Sequence, residues 1–272
     1  MIDSNPALRA LLSDGRDAGG WTPVTGGESG AGVFRSDDGA RYAKCVPAGS
    51  VSSLEEERDR VEWLGTQGVP GPRVLDWHVT ADGARLVTSA VAGVPADRVP
   101  AAELRAAWEK IAEAVRRLHD LPAHRCPFAR DLTWMFAMAR DVVARGAVNP
   151  AFLPEEQQHT PAGELLARLE PQLEHRLAQE AAGTVVCHGD LCLPNIILDP
   201  ETLDVAGFID LGRLGRADPY ADIALLLANA RETWPDERQA NWADERFAER
   251  YGIVLDRDRE RFYLHLDPLT WG

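Results

Sequence analysis

Hydrophobic and polar positions change period near residue 90. Between residues 21 and 47 short alternating runs are punctuated by glycine-rich turns: W-T-P-V-T, G-G-E-S-G-A-G, V-F-R, S-D-D-G and A-R-Y-A-K-C-V. Period-two alternation broken by such turns predicts a small antiparallel sheet. Lys44 falls in its third strand, with Ala43 and Cys45 on the opposite face. From about Ser52 to Gly68 the pattern is that of an acidic helix, with Ser52 or Ser53 as N-cap and Leu54, Val61 and Leu64 on its apolar side. Pro70 and Pro72 then interrupt the chain before V-L-D-W and the strand R-L-V-T-S. The apolar connector S-A-V-A-G-V-P follows at 89–95.

Beyond it the period is helical. Leu104, Trp108, Ile111, Val115 and Leu118 recur at spacings of 4, 3, 4 and 3, the stripe of a core-facing helix. Further helices are predicted at about 131–145, at 163–180 with Leu166, Leu169, Leu173 and Leu177 along one stripe, and at 219–232, 240–251 and 256–265. The first two are separated by a long proline-bounded loop, V-N-P-A-F-L-P-E-E-Q-Q-H-T-P, of a length that is more often functional than accidental. Val185 and Val186 on one side, and Ile196 and Ile197 on the other, read as short strands that hold the polar loop V-C-H-G-D-L-C-L-P-N between them. A further strand, V-A-G-F-I, leads into D-L-G-R. The expectation is an α+β chain with a small antiparallel β lobe at residues 1–88, a hinge at 89–95 and a larger, mainly helical lobe at 96–272.

Composition narrows the function. The net charge is −14 over 272 residues, which disfavours a nucleic-acid polyanion and suits a cationic partner. Residues 1–93 carry a net −4 and residues 94–272 a net −10, so the second lobe is the acidic one. No long apolar run or basic leader occurs, and the expectation is a cytoplasmic monomer with no membrane partner. Cys45, Cys126, Cys187 and Cys192 are too sparse for a disulfide framework and read as small buried fillers. Of 29 basic residues only Lys44 and Lys110 are lysine. Retaining a compact ammonium at 44 in an arginine-rich chain marks that position.

The polar groups at strand ends form an inventory for phosphoryl transfer: Lys44 and Ser29 in the glycine-rich turn on one side, Asp190, Asn195 and Asp210 on the other. Such chemistry needs a cation on the non-reacting phosphates, hard oxygen ligands for Mg²⁺ and an acceptor for the proton of the attacking hydroxyl. Asp190 to Asn195 has the D-x-x-x-x-N interval of a kinase catalytic loop, and Asp210-Leu211-Gly212 fills the D-F-G position. Asp190 is therefore the candidate catalytic acceptor, and Asn195 and Asp210 the candidate metal ligands. His188 reads as a structural residue bonding loop carbonyls. Glu55, Glu56, Glu57 and Glu62 all remain open as carboxylate partners of Lys44.

These motifs carry a resemblance. C-H-G-D-L-C-L-P-N, G-F-I-D-L-G-R-L-G-R-A-D and Y-A-D-I-A-L-L-L-A-N-A resemble the aminoglycoside phosphotransferases, antibiotic kinases with a protein-kinase-like fold, over roughly residues 20 to 272. G-G-E-S-G, E-R-D-R-V-E-W-L, V-N-P-A-F-L-P and the ending L-D-P-L-T-W-G are similar to the streptomycin 3''-phosphotransferase branch. The resemblance implies ATP and Mg²⁺ as cofactors and phosphorylation of the 3''-hydroxyl of streptomycin, conferring resistance. It selects Glu57 as the partner of Lys44, places the ring of Tyr42 against adenine and the backbone of Ser89 and Val91 at its edge, and matches Asp267 to an acid that contacts the drug. Glu155 and Glu156, with Asp267, are candidate contacts for the two guanidinium groups of streptomycin. Two departures are informative: Gly189 stands where protein kinases have the arginine of H-R-D, and the glycine turn reads G-x-x-G-x-G across Gly27, Gly30 and Gly32. Open alternatives are a kinase of the same fold acting on another aminoglycoside or a small cationic alcohol, a catalytically inert nucleotide-binding module, and a metal-dependent hydrolase using His188, Asp190 and Asp210.

Overall fold

In the computed structural model, residues 6–12, 20–24 and 31–272 are described; Ser29, Gly27 and Gly30 lie outside them. The chain divides into two compact units, Met1–Gly93 with Ala206–Gly212, and Val94–Val205 with Arg213–Gly272.

The first unit is built on one antiparallel sheet. After the short helix α1 (Pro6–Ala10) come β1 (Trp21–Pro23), β2 (Gly32–Ser36) and β3 (Arg41–Pro47), then helix α2 (Val51–Thr66) and strands β4 (Val74–Val79) and β5 (Gly83–Ser89). The strand order is β1-β2-β3-β5-β4. The turn between β2 and β3 is closed by Asp38, whose Oδ1 accepts from Ser36 Oγ at 2.5 Å and from the Ala40 N–H at 3.0 Å, while Gly39 supplies the positive φ of 71°. Ala43 and Cys45 point to one face with Phe34, Val87 and Leu8. Lys44 pairs directly with Leu86 and so shares the other face, which packs Ala31, Val46 and Leu86 against Leu54 of α2. On α2, Leu54, Val61 and Leu64 are buried at helical spacing, and Glu57 lies on the same stripe. The helix starts at Val51 with Ser50 as its capping residue; Ser52 and Ser53 are already inside its first turn. The turn Ala48–Ser50 runs directly from the strand end into the helix, so the end of β3 sets the start.

Ala206–Gly212, although late in the chain, groups with the first unit. The Phe208 N–H donates to Pro70 O at 3.1 Å, and Gly207 packs so closely on Pro70 and Gly71 that an added Cβ would lie 3.1 Å from their backbone. This stitching carries Asp210 into the first unit.

The second unit opens with the two-residue strand β6 (Val94–Pro95) and helix α3 (Ala101–His119), on which all five stripe residues from Leu104 to Leu118 are fully buried. Helix α4 (Leu132–Ala144) follows. The predicted helix over 163–180 is instead two, α5 (Ala162–Leu169) and α6 (Leu173–Gly183), joined by the turn Glu170–Gln172. Pro171 lacks the N–H that a continuous helix needs, so the rod breaks there. The stripe survives the break: Leu166 and Leu169 enter the core, and Leu173 and Leu177 pack partly buried against it. Strands β7 (Val185–Cys187), β8 (Ile196–Leu198), β9 (Val205–Phe208) and β10 (Gly215–Ala217) precede helices α7 (Tyr220–Arg231), α8 (Glu237–Tyr251) and α9 (Arg257–Leu266). Helix α8 begins three residues earlier than its apolar pattern suggests because Asp236 caps it, accepting from the Gln239 N–H at 2.8 Å. Trp108 of α3 is tied to α8 by its indole N–H, which donates to Ala243 O at 2.7 Å. Among the described residues no helix is long and apolar enough to cross a membrane.

One buried acid links α4 to the segment after β10. Glu180, 7% exposed, accepts the Leu132 N–H on both oxygens at 3.0 and 3.1 Å and the Asp218 N–H at 3.2 Å. Burial pushes its carboxyl up to about 7, against the backbone donors that favour the charge. An acid with a raised folded pKa keeps a proton that the unfolded chain has lost. Its contribution to stability therefore falls as pH rises from the ordinary value of 4.5 to about 7 and is lowest above that window. We expect Glu180→Gln, which retains an acceptor without an ionisation, to lose less unfolding free energy than wild type between about pH 5 and about pH 8 in urea titrations.

Candidate active site

The candidate side chains form two clusters, one in each unit. In the first, Lys44 Nζ lies 2.7 Å from Glu57 Oε2 and 3.2 Å from Asp210 Oδ1. Burial works against the ammonium charge, but the two carboxylates more than offset it and hold the Lys44 pKa above its ordinary value. Of the other candidate glutamates of α2, Glu55 pairs with Arg58 at 3.2 Å and Glu56 with Arg60 at 3.0 Å along the helix surface, and Glu62 is exposed. The stripe that buries Leu54 and Val61 is what turns Glu57, and not its neighbours, towards β3. A cavity of about 200 Å³ opens beside the ammonium, lined by Lys44, Glu57, Ser50, Ser53, Ala31 and Val46 among others.

Asp210 adopts a left-handed φ of 57°, rare for a residue with a side chain. Such strain persists only where neighbours over-determine it, here Leu211, which is 1% exposed, and Gly212, where an added Cβ would meet Glu57 Oε2 at 3.3 Å. The Asp210 side chain itself is 50% exposed, a carboxylate anchored on one oxygen and open to solvent. Tyr42 is half-buried on β3. The Ser89 N–H donates to Arg73 O at 2.9 Å and its Oγ accepts the Arg73 N–H at 2.9 Å. Val91 follows β5, half-buried and outside any strand.

The second cluster is the loop between β7 and β8. β7 pairs with β10, Cys187 opposite Gly215, and β8 pairs with β6, Leu198 opposite Val94, so each end of the loop is fixed by a different sheet. Inside it Asn195 Nδ2 donates to Asp190 O at 2.9 Å and approaches Asp190 Oδ2 at 3.3 Å. That orientation makes Asn195 Oδ1 the atom a cation would take. Asp190 is partly exposed and Asn195 8% exposed. His188 is fully buried, and its Nδ1 accepts the Asp190 N–H at 3.2 Å. Cys45, Cys126 and Cys187 are buried, and Cys192 is partly buried with Sγ 3.3 Å from Asn195 Nδ2.

The residue that organises this loop is Asp222 of α7. Its Oδ2 accepts the His188 N–H at 2.6 Å and faces His119 Nε2 at 3.0 Å, and its Oδ1 accepts the Gly189 N–H at 2.8 Å. His119 Nδ1 in turn meets the Tyr251 hydroxyl at 2.7 Å. Burial alone would raise the Asp222 pKa, but the His119 bond, nearby positive charge and the backbone donors bring it below the ordinary value. His119, Cys187 and Asp222 lie within 4.8 Å of one another, yet both ring nitrogens and both carboxylate oxygens are already used by the protein, so the group braces the loop. Asn229, one further helical position set on α7, accepts the Leu193 N–H at 2.9 Å. Sequence reading passed over these residues. The signal was present in the isolated acid of the apolar run Y-A-D-I-A-L-L-L, since a carboxylate is buried only where donors await it.

The candidate acceptor contacts differ sharply. Glu155 and Glu156 are exposed on the turn Glu155–Gln157. Asp267 is 6% exposed and paired with Arg130 and Arg213.

A family model of the phosphotransferase enzyme family matches residues 20–263. Streptomycin 3''-kinase of Streptomyces griseus is 67% identical over 254 residues, covering 93% of each chain. An aminoglycoside 3'-phosphotransferase of Streptomyces fradiae is 42% identical, covering 91% of this chain and 94% of that one. Among solved structures, aminoglycoside phosphotransferase APH(3'')-Id of Streptomyces rimosus aligns over 100% of both chains with a TM-score of 0.95 at 74% identity; its complex with ADP and streptomycin aligns over 100% of both chains with a TM-score of 0.94 at 71% identity.

Replacing Asp222 by Asn turns one of its two acceptor oxygens into a donor and leaves a buried N–H of the loop unpaired. We expect a loss of about 1–3 kcal/mol in unfolding free energy. Amide exchange at His188 and Gly189 should accelerate in the same variant, measured by mass spectrometry.

Proposed function

The chain belongs to the phosphotransferase enzyme family, and on that footing we propose that it transfers the γ-phosphoryl group of ATP to the 3''-hydroxyl of streptomycin, conferring resistance. The observation that carries the reading is the pairing of a buried-side ammonium with Glu57 and Asp210 in one unit and of Asp190 with Asn195 in the other. The similarity to a streptomycin kinase selects the acceptor.

The side chains fit the groups this reaction needs. Asn195 Oδ1 and the half-exposed Asp210 carboxylate are hard oxygen donors of the kind Mg²⁺ prefers, and they are the residues that would hold it. Magnesium, when bound, offsets phosphate charge and polarises the transferring group. Lys44, kept protonated by two carboxylates, adds a fixed positive charge for the non-reacting phosphates. Tyr42, Ser89 and Val91 are assigned to the adenine, and Ser29 to the phosphates. Asp190 orients the acceptor hydroxyl by accepting its hydrogen bond. As the acceptor oxygen bonds to the γ-phosphorus and the bridging bond to ADP breaks, the hydroxyl proton passes to the Asp190 carboxylate. The exposed Glu155 and Glu156 meet the guanidinium groups of the drug, as bidentate carboxylates do.

Three experiments test this. A coupled ADP-release assay over streptomycin, other aminoglycosides and choline, with NMR of the product, is expected to give turnover on streptomycin with phosphate at the 3'' position; turnover on another compound alone transfers the assignment. Asp190→Ala is expected to lower kcat by about 10²–10⁴-fold while calorimetry still detects ATP binding. Lys44→Arg is expected to be far from neutral, because the planar fork cannot occupy the ammonium's place between Glu57 and Asp210. Its kcat/KM for ATP should fall by roughly 10-fold or more.

A further inference from the structure

Two arginines reach the catalytic loop from different segments and meet on one carboxylate. Arg130, 2% exposed, donates through Nη2 to Asp267 Oδ1 at 2.7 Å. Arg213 reaches the same oxygen through Nη1 at 3.3 Å, donates through Nη2 to Thr270 O at 3.1 Å, and lies 3.5 Å over the Trp271 ring. The Trp271 indole N–H donates to Asp267 Oδ2 at 3.0 Å, and Thr270 Oγ1 donates to Asp267 O at 2.7 Å. Both oxygens of Asp267 are thus committed inside the protein.

The other end of this assembly is Gly189. It has φ of +86°, and an added Cβ would sit 2.1 Å from Arg213 O and 2.8 Å from Arg130 Cδ. The glycine before Asp190 therefore packs without a gap on the backbone of one arginine and the side-chain stem of the other. Asp222 holds the same peptide from its N–H side. A buried arginine stays in place only while its carboxylate does, since removing one partner strands the other charge.

The geometry points to Asp267 as a positioning residue: the closing turn Asp267–Thr270, acting through Arg130 and Arg213, sets the backbone at Gly189 and hence the aim of the Asp190 carboxylate. In protein kinases the arginine at the position of Gly189 answers to a phosphorylated segment. Here the arginines come from elsewhere and answer to a carboxylate built into the chain, so the loop is held permanently. Asp267, 6% exposed and with both oxygens already bonded, has little surface left for a cationic substrate. The kinetic consequence of this inference rests on the proposed phosphotransfer; the structural one does not.

The test uses the full chain with Asp267→Asn, Arg130→Met, their double variant and Trp271→Phe. Asp267→Asn is expected to lower kcat by about 10-fold or more while the calorimetric Kd for streptomycin stays within about 2-fold. Amide exchange across residues 188–191 should quicken, with α9 unaltered. The double variant should be no slower than the worse single one, the signature of a shared pathway. Trp271→Phe, which removes one hydrogen bond and keeps the ring under Arg213, should shift kcat and exchange in the same direction by less, and it carries the test if Asp267→Asn fails to fold. A Kd weakened by about 10-fold or more with kcat and loop exchange unchanged would make Asp267 a drug contact and overturn the proposal. No change in any readout would overturn it equally. Wild-type protein inert on streptomycin would defeat the functional reading alone, leaving the exchange data to judge the clamp.

Discussion

One ammonium held between two carboxylates governs the first unit. Lys44 lies on the face of β3 that receives α2, and its charge is stable there only because Glu57 and Asp210 are both within reach. That requirement fixes the rotation of α2, since only the stripe through Leu54 and Val61 delivers a glutamate to the right place. It also accounts for residues far along the chain packing with this unit: Ala206–Gly212 returns to it, and the strained backbone at Asp210 is what presents a carboxylate to the ammonium.

The second unit applies the same physics to the backbone. Asp222, Glu180 and Asp267 are all nearly or fully buried, and each is compensated by groups that matter to the loop or to the helices around it. Asp222 and Glu180 accept backbone N–H groups that no secondary structure satisfies, and Asp267 neutralises two arginines. An unpaired carboxylate in such a place would be costly, so each acid enforces a single arrangement of its donors. A polar loop between two short strands thereby acquires the rigidity of a core without apolar filling, and Asp190 and Asn195 are presented from it. Rigid placement of this kind is what phosphoryl transfer requires, because the chemistry leaves the protein chiefly positioning and electrostatics to supply.

Much of this was legible in the residues. Period-two alternation placed Ala43 and Cys45 on the face opposite Lys44, and the stripe from Leu104 to Leu118 named a helix whose five apolar residues are all buried. Val185 and Val186 on one side and Ile196 and Ile197 on the other located the loop and its two flanking strands. What periodicity could not supply was direction between segments. Periodicity left four glutamates on α2 equivalent; the resemblance named Glu57, which is the one that pairs with Lys44. A leucine stripe continued through Pro171 although the backbone could not, because burial follows side chains and the missing N–H follows the ring. Asp267 was matched by resemblance to a drug-contacting acid, and nothing in L-D-P-L-T-W-G announces that Arg130 and Arg213 will converge on it. The same holds for Asp222 and His119, whose partnership spans 103 residues of sequence.

The most direct test exploits an oddity of composition. With lysine at positions 44 and 110 alone, selective ¹³Cε-lysine labelling yields two signals, and a pH titration by NMR reads the Lys44 ammonium with no crowding. Lys44 should titrate above the ordinary lysine value of about 10.4, and Glu57→Gln should bring it down. A Lys44 signal that titrates at or below the ordinary value, or that ignores the loss of Glu57, would contradict the claim that paired carboxylates hold this charge at the heart of the unit.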